Sequence, residues 1–278
     1  MTAAPCPAVA LVRVPAPGAV RAAWERAYLS PAEASLVGAR ATEKRRAEFV
    51  AGRLAAKAAA ALLLGPPWAP GDIAVLREGN ATTGPPRLAL SRGSGREVRT
   101  SISHADGLAL AAASRERVGI DLVAVEDQGA AFAAEAFAPG ELDAWRGSLG
   151  GSATADEAVA VAFAAKEAAL KWMGAGLTVP LHHVAVLPIG GSAPTREAMA
   201  APMSMRVRMA TPGGGDAFVR LPQIGLRVSV EATSPRSRAV LGARVLRVGR
   251  RVALLLWGPE AAPRDHAASA CFELASGG

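Results

Sequence analysis

Phe163-Ala164-Ala165-Lys166-Glu167-Ala168-Ala169-Leu170-Lys171-Trp172-Met173-Gly174-Ala175-Gly176-Leu177 decides how this chain is read. The stretch is the end of a long helix. Thr154 and Glu157 predict a capping box at its start, and no Gly or Pro interrupts the Ala-, Val-, Phe- and Leu-rich run that follows. Gly174 and Gly176 stop it, and Pro180 lies just beyond. Glu167 and Lys171 are four apart and share a face, with Lys166 about 100° round the same turn. Such a pair can be a surface contact contributing about 0.3–0.5 kcal/mol. This helix, however, is apolar on nearly every side. Its charges are therefore expected to be partly buried, and buried charges need partners or a metal.

Working outward, the whole chain has 278 residues, enough for one large domain or two modest ones with ample core. Apolar residues make up 51% and aromatics only 4%, so Ala, Val and Leu must carry the packing. The longest apolar runs, Ala58–Leu64 and Leu108–Ala113, fall short of a membrane span. The first residues carry no signal-peptide pattern. The count of two would allow a Cys6–Cys271 bridge, but the pair reads first as two thiols in a reducing compartment, so a cytoplasmic location is expected. The net charge of +7 points to a polyanionic partner, unless it is only compositional drift. The scarcity of aromatics argues against single-stranded nucleic acid.

In chain order, Val9–Val14 predicts a strand and Ser30-Pro31-Ala32-Glu33 a helix start. A helix from about Thr42 to Leu64 carries Arg45, Arg46, Arg53 and Lys57. Arg46, Arg53 and Lys57 recur at seven and four, which lines them on one face as a phosphate-binding row or a solvated basic edge. Strands are expected over Ile73–Arg77 and Arg87–Leu90. Thr100–His104 is expected as a polar tip. The runs Leu108–Ala113 and Val118–Val125 are expected to pair as antiparallel neighbours across the turn Ser114–Arg117. Phe132 and Phe137 sit in an Ala-rich helical stretch, and Pro139-Gly140-Glu141 opens another helix. His182–Leu187, Met203–Met209, Leu226–Glu231 and Ala239–Leu256 read as strands. A tail beyond Gly258 is expected to be loose.

Asp121 is the anomaly among the strands. Ile120 and Leu122 flank it, and aspartate is depleted from such positions. A buried carboxylate there costs several kcal/mol, of order the ~2–7 of any unpaired polar group, unless a cation, an arginine or a cap compensates it. His182 and His183 cannot both face one metal from a strand and read as structural. No P-loop, GxGxxG, CxxC or HExxH occurs.

Three separated motifs then stand in order: Ser101-Ile102-Ser103-His104, Val118-Gly119-Ile120-Asp121, and Phe163 to Lys171 running into Gly174-Ala175-Gly176-Leu177. Together they resemble the 4'-phosphopantetheinyl transferases, specifically the larger single-chain, surfactin-synthetase-activating type that primes peptide and polyketide synthetases. Leu29–Glu33 and the Arg53-bearing helix are also similar to the family's N-terminal half. The resemblance implies an α+β fold of two similar halves. Each half has a small, mainly antiparallel sheet and a long helix, related by a pseudo-two-fold, with the active site at the seam. It places an N-terminal half at 1–117 and a C-terminal half at 118–278. The implied reaction moves the phosphopantetheine arm of coenzyme A to a serine of an apo carrier protein and releases adenosine 3',5'-bisphosphate. By resemblance Asp121 and Glu167 hold Mg²⁺, Glu167 takes the serine proton, and Lys171 contacts the pyrophosphate. Ser103 and His104 grip coenzyme A phosphates, and Arg46, Arg53 and Lys57 receive the 3'-phosphate.

The chain departs from the family pattern at two places. Val123 stands where the larger members carry a third acid, and Glu126 faces the wrong way to replace it, so water is expected there. Gly84-Pro85-Pro86 lacks the family's lysine, with Arg87 as a substitute. The implied partner is an acidic carrier protein, with no nucleic acid or membrane and with the enzyme a monomer; the stretch around Phe132 and Phe137 reads first as core packing and second as the carrier's docking surface. The alternative is a degenerate binder of coenzyme A or carrier protein that performs no transfer. Residues 190–278 exceed what the family needs and receive no role.

Overall fold

The computed structural model describes residues 7–38, 41–77, 84–91, 97–150, 153–175, 179–189, 207–210, 216–219, 223–233, 236–258 and 262–263. The elements in order are β1 (Ala8–Arg13), α1 (Ala19–Tyr28), α2 (Pro31–Ala34), α3 (Glu43–Leu64), β2 (Ile73–Arg77), β3 (Pro86–Leu90), β4 (Arg99–Ala105), β5 (Leu108–Ser114) and β6 (Arg117–Ala124). There follow α4 (Gly129–Ala136), α5 (Glu141–Leu149), α6 (Ala155–Met173), β7 (Val184–Ile189), β8 (Val207–Ala210), β9 (Asp216–Val219), β10 (Gln223–Thr233), β11 (Arg236–Val248), β12 (Arg251–Gly258) and β13 (Ala262–Pro263). The fold is α+β, and among the described residues it has two sheets, antiparallel except where β8 runs parallel to β1. The first sheet has the order β2-β3-β4-β5-β1-β8-β9. The second has β6-β12-β11-β10-β7, with β13 beside β11. Among the described residues no helix is long and apolar enough to cross a membrane. Cys6, Cys271 and nearly all of the tail after Gly258 lie outside the described residues.

Each sheet carries one long helix. α3 lies on β1, β4 and β5, and α6 lies on β6, β12 and β7. Alanine makes this possible: Ala51, Ala55, Ala56, Ala59 and Ala60 of α3, and Ala162, Ala164, Ala165, Ala168 and Ala169 of α6, are all fully buried. Small faces bring helix and sheet close. Thr42 caps α3 by accepting from Arg45 N–H at 3.2 Å. Gly174, at φ 73°, ends α6 in the left-handed conformation, and Ala175 N–H reaches back to Leu170 O at 3.1 Å. The capping box expected at Thr154 forms only half: Glu157 N–H donates to the Thr154 hydroxyl, but the Glu157 carboxylate turns to Arg247 of β11.

One fastening occurs twice. Glu33 completes the expected capping box with Ser30, then accepts from Lys57 Nζ of α3 at 2.7 Å and from Val75 N–H of β2 at 2.9 Å. Glu141 accepts from Ala138 N–H at 3.0 Å, from Lys166 Nζ of α6 at 2.8 Å and from Val186 N–H of β7 at 3.2 Å. The two spans are 42 and 45 residues, so one arrangement of helix start, long helix and following strand occurs twice. All four side chains are buried, and breaking either pair would leave an uncompensated charge.

Three strand expectations are corrected. β5 and β6 do not pair: β1 and β4 take both edges of β5, and β6 joins the other sheet against β12. Thr100–His104 is interior to β4 and not a tip. The tip is Asp106-Gly107, both at positive φ, a two-residue hairpin whose Asp-Gly signature the sequence displays. Finally, His182 and His183 lie in a 3-10 turn (Leu181–His183) before β7. The unassigned C-terminal region supplies β10–β12, and β12 pairs directly with the Asp121 strand, Leu254 opposite Asp121. It also sends β8 and β9 back to the first sheet.

β6 is held against α6 at Gly119. A Cβ there would sit 1.9 Å from Ala168 O and 2.8 Å from Trp172 N, both backbone atoms that cannot swing aside. Gly119→Ala is therefore expected to lose about 3 kcal/mol or more of stability, at the upper end of overpacking costs, read as a shift in urea midpoint.

Candidate active site

β4 approaches β6 through side chains. Ile120 N–H donates to the Ser101 hydroxyl at 3.1 Å, and Leu122 N–H to the Ser103 hydroxyl at 3.2 Å. The period of two in a strand puts both serines on the β6 side and sends Ile102 and His104 the other way, toward α3. The expectation that Ser103 and His104 grip phosphate together is thereby corrected. The Ser103 hydroxyl donates to Asp121 Oδ1 at 2.7 Å, away from the cavity that His104 lines.

Asp121 is buried, and its compensation is now visible. Lys171 Nζ lies 2.6 Å from Oδ1 and 3.1 Å from Ile120 O. Lys171 thus turns from its helical neighbour Glu167 to Asp121. Glu167 stands half-buried nearby. Burial raises its carboxyl above the usual range, the Asp121 charge raises it further, and Lys171 opposes both. Two carboxylates that raise each other's cost are a donor set suited to a hard divalent cation. Among the described residues no third His, Cys, Asp or Glu joins them, so an ion here would complete its shell with water and ligand oxygens. Val123 packs against the second sheet's core and contributes nothing polar.

On the other side of β4 lies a cavity of about 180 Å³ lined by Arg45, Glu48, Phe49, Gly52 and Arg53 of α3, with Arg77, Gly84, Pro86, Ile102 and His104. Arg53 is buried with its guanidinium over the Phe49 ring, 4.1 Å from the centroid. Among the described residues its Nε has no hydrogen-bond partner; burial pulls its pKa down to about 10, Arg77 and Arg45 add to the fall, and Glu33 opposes it. A buried guanidinium facing a cavity lined by two more arginines, with Glu48 as the lining's one carboxylate, is chemistry suited to an anion. His104 links the two regions. Burial lowers its pKa, Glu48 opposes that, and both Arg45 and Lys171 push it lower still. Arg45 Nη1 lies 3.4 Å from His104 Nε2 and Glu48 Oε2 lies 3.8 Å from Nδ1, an arrangement suited to a neutral ring protonated at Nδ1.

Residues 117–210 match the model of the 4'-phosphopantetheinyl transferase superfamily. The match spans about a third of the chain. The matched stretch contains Asp121, Glu167 and Lys171, whereas the residues lining the arginine cavity precede it. Among solved structures, Helicobacter pylori holo-[acyl-carrier-protein] synthase in complex with coenzyme A aligns at 21% identity and a TM-score of 0.29, covering 39% of this chain and 98% of that one. No curated protein matches the chain.

Against the superfamily expectations, Arg53 lines the cavity but Lys57 and Arg46 do not. Lys57 is sealed inside the fold by Glu33 and the Tyr28 carbonyl. Arg46 Nε donates to Ala41 O. On the helical wheel the cavity stripe is Arg45-Phe49-Gly52-Arg53, with Arg46 and Lys57 on the far side of Arg53. Gly52, the small member of that stripe, was the signal in the sequence. Arg77, and not Arg87, supplies the cation near Gly84 and Pro86; Arg87 is exposed on β3. Phe137 is core, as the first of the two readings expects, and Phe132, half-buried, packs edge-on against Phe137 and the half-buried Phe163.

Glu167 has its pKa raised in the fold, so its folded form binds more protons than its unfolded form between the two values. Its contribution is therefore lost as pH rises through the raised value, and the ionised carboxylate costs stability at neutral pH. Glu167→Gln is expected to raise the Tm at neutral pH in the presence of a chelator. Toward pH 4 the gain should vanish.

Proposed function

We propose that this chain transfers the 4'-phosphopantetheine arm of coenzyme A to a serine of an acidic apo carrier protein, in a magnesium-dependent reaction that releases adenosine 3',5'-bisphosphate. One observation carries the reading: the Asp121–Glu167–Lys171 cluster and the Arg53 cavity lie on opposite sides of β4, and His104 feels both. In this reading Arg45, Arg53 and Arg77 neutralise the 3'-phosphate. His104 and Lys171 flank the pyrophosphate. Asp121 and Glu167 would hold the magnesium ion, which supplies Lewis-acid neutralisation of phosphate oxygens. Glu167, with its raised carboxyl, accepts the proton of the carrier serine. The serine oxygen then bonds to the phosphorus bearing the pantetheine arm, and the bond from that phosphorus to the bridging oxygen breaks. Lys171 stabilises the charge on the departing phosphate.

Labour divides near residue 117. The first half, 1–117, holds coenzyme A, and the second, 118–278, provides the carboxylates. The recurring Glu–Lys fastening supports a pseudo-two-fold relation between the halves. The positive chain favours an acidic carrier, met by a monomeric cytoplasmic enzyme. A second reading is favoured by Val123 and by Lys171 already seated on Asp121: a binder that holds coenzyme A without transfer.

Incubation with an apo carrier, coenzyme A and Mg²⁺ should add the mass of one phosphopantetheine to the carrier. Retention of coenzyme A with no added mass, on a carrier shown to be competent, would leave only the binder. Arg53→Ala should weaken coenzyme A binding about 10- to 100-fold, the value of a charge-assisted contact. The same change should barely alter binding of the analogue lacking the 3'-phosphate. Calorimetry on both ligands measures the difference.

A further inference from the structure

We infer that Ser103 is a positioning residue for the cation site and does not contact coenzyme A. The inference rests on the transferase reading for the identity of that site. A serine hydroxyl has one proton to donate. Here that proton is committed to Asp121 Oδ1 at 2.7 Å, and the oxygen already accepts from Leu122 N–H at 3.2 Å. Ser103 is buried, so nothing is left of the group for a phosphate. Lys171 also falls on Oδ1, and among the described residues Oδ2 accepts no hydrogen bond. An aspartate's terminal torsion is soft. Two donors on one oxygen, one from β4 and one from α6, fix that torsion and present the other oxygen. Ser103 thereby lets the first sheet set the aim of a carboxylate in the second.

Ser101 supplies the control. It accepts from Ile120 N–H in the same way, one pleat earlier, and among the described residues no carboxylate bond is attached to it. A merely structural stitch between β4 and β6 would make the two serines equivalent.

The test measures Mn²⁺ affinity by electron paramagnetic resonance and coenzyme A affinity in EDTA, on the full chain without turnover. Ser103→Ala should weaken Mn²⁺ binding about tenfold, the lower end for loss of a ligand's supporting hydrogen bond. Its coenzyme A affinity in EDTA should match wild type. Ser101→Ala and Ser103→Thr should both bind Mn²⁺ as wild type does. Where Ser103→Ala does not fold, Ser103→Cys, a weak donor of similar size, takes its place. Wild-type Mn²⁺ affinity in Ser103→Ala, equal weakening in Ser101→Ala, or loss of coenzyme A affinity in EDTA would each overturn the inference. A wild-type protein that holds no Mn²⁺ at all would overturn the transferase reading together with it.

Discussion

The site depends on a backbone touching a backbone. At Gly119 the strand that carries Asp121 lies so close to α6 that a single added carbon would collide with Ala168 O. This contact sets the spacing between β6 and α6, and with it the reach of Lys171 to Asp121 and the field that Glu167 feels. Any larger residue at 119 would push the strand outward and stretch a 2.6 Å ion pair that is worth most when close. The neighbouring strand β4 then meets β6 through two hydroxyls. Backbone sterics on one side and hydroxyls on the other together locate one carboxylate.

The chain treats its buried cations in two ways, and the difference separates structure from function. Lys57 and Lys166 each have a buried carboxylate and one or more backbone carbonyls as partners, and neither lines the cavity. Arg53, equally far from water, has a ring beneath it, two arginines near it and, among the described residues, an unsatisfied Nε. Evolution does not ordinarily leave such a group without compensation. Glu33 offsets only part of this, and an anion in the cavity would offset more. Residue type alone would not have separated these three side chains; for Arg53 and Lys57 the position on the α3 wheel relative to Gly52 does.

Much of this was legible in the sequence. The long helices, their glycine stops and the capping box of the short α2 at Ser30 followed from local rules, and three motifs in order pointed to Asp121, Glu167, Lys171 and His104. What the sequence hid was tertiary. The partner of β6 lies more than a hundred residues downstream in β12, so adjacency in sequence favoured a false pairing with β5. Lys57 looked like part of a basic row because its partner Glu33 lies 24 residues away on another helix. Two errors were avoidable. Alternation along Ser101–His104 already sets Ser103 and His104 on opposite faces, and Asp106-Gly107 already marks the hairpin.

The alanine faces of α3 and α6 have a consequence for how this protein can vary. An alanine loses no rotamer freedom on burial and has none to offer when a neighbour changes. Larger cores absorb a substitution by letting adjacent side chains reorient; this one has little such slack, because enlarging a buried alanine drives a helix off its sheet. Evolutionary drift is therefore channelled to the rims, where the arginines and loops around the cavity can be exchanged while the scaffold beneath stays rigid.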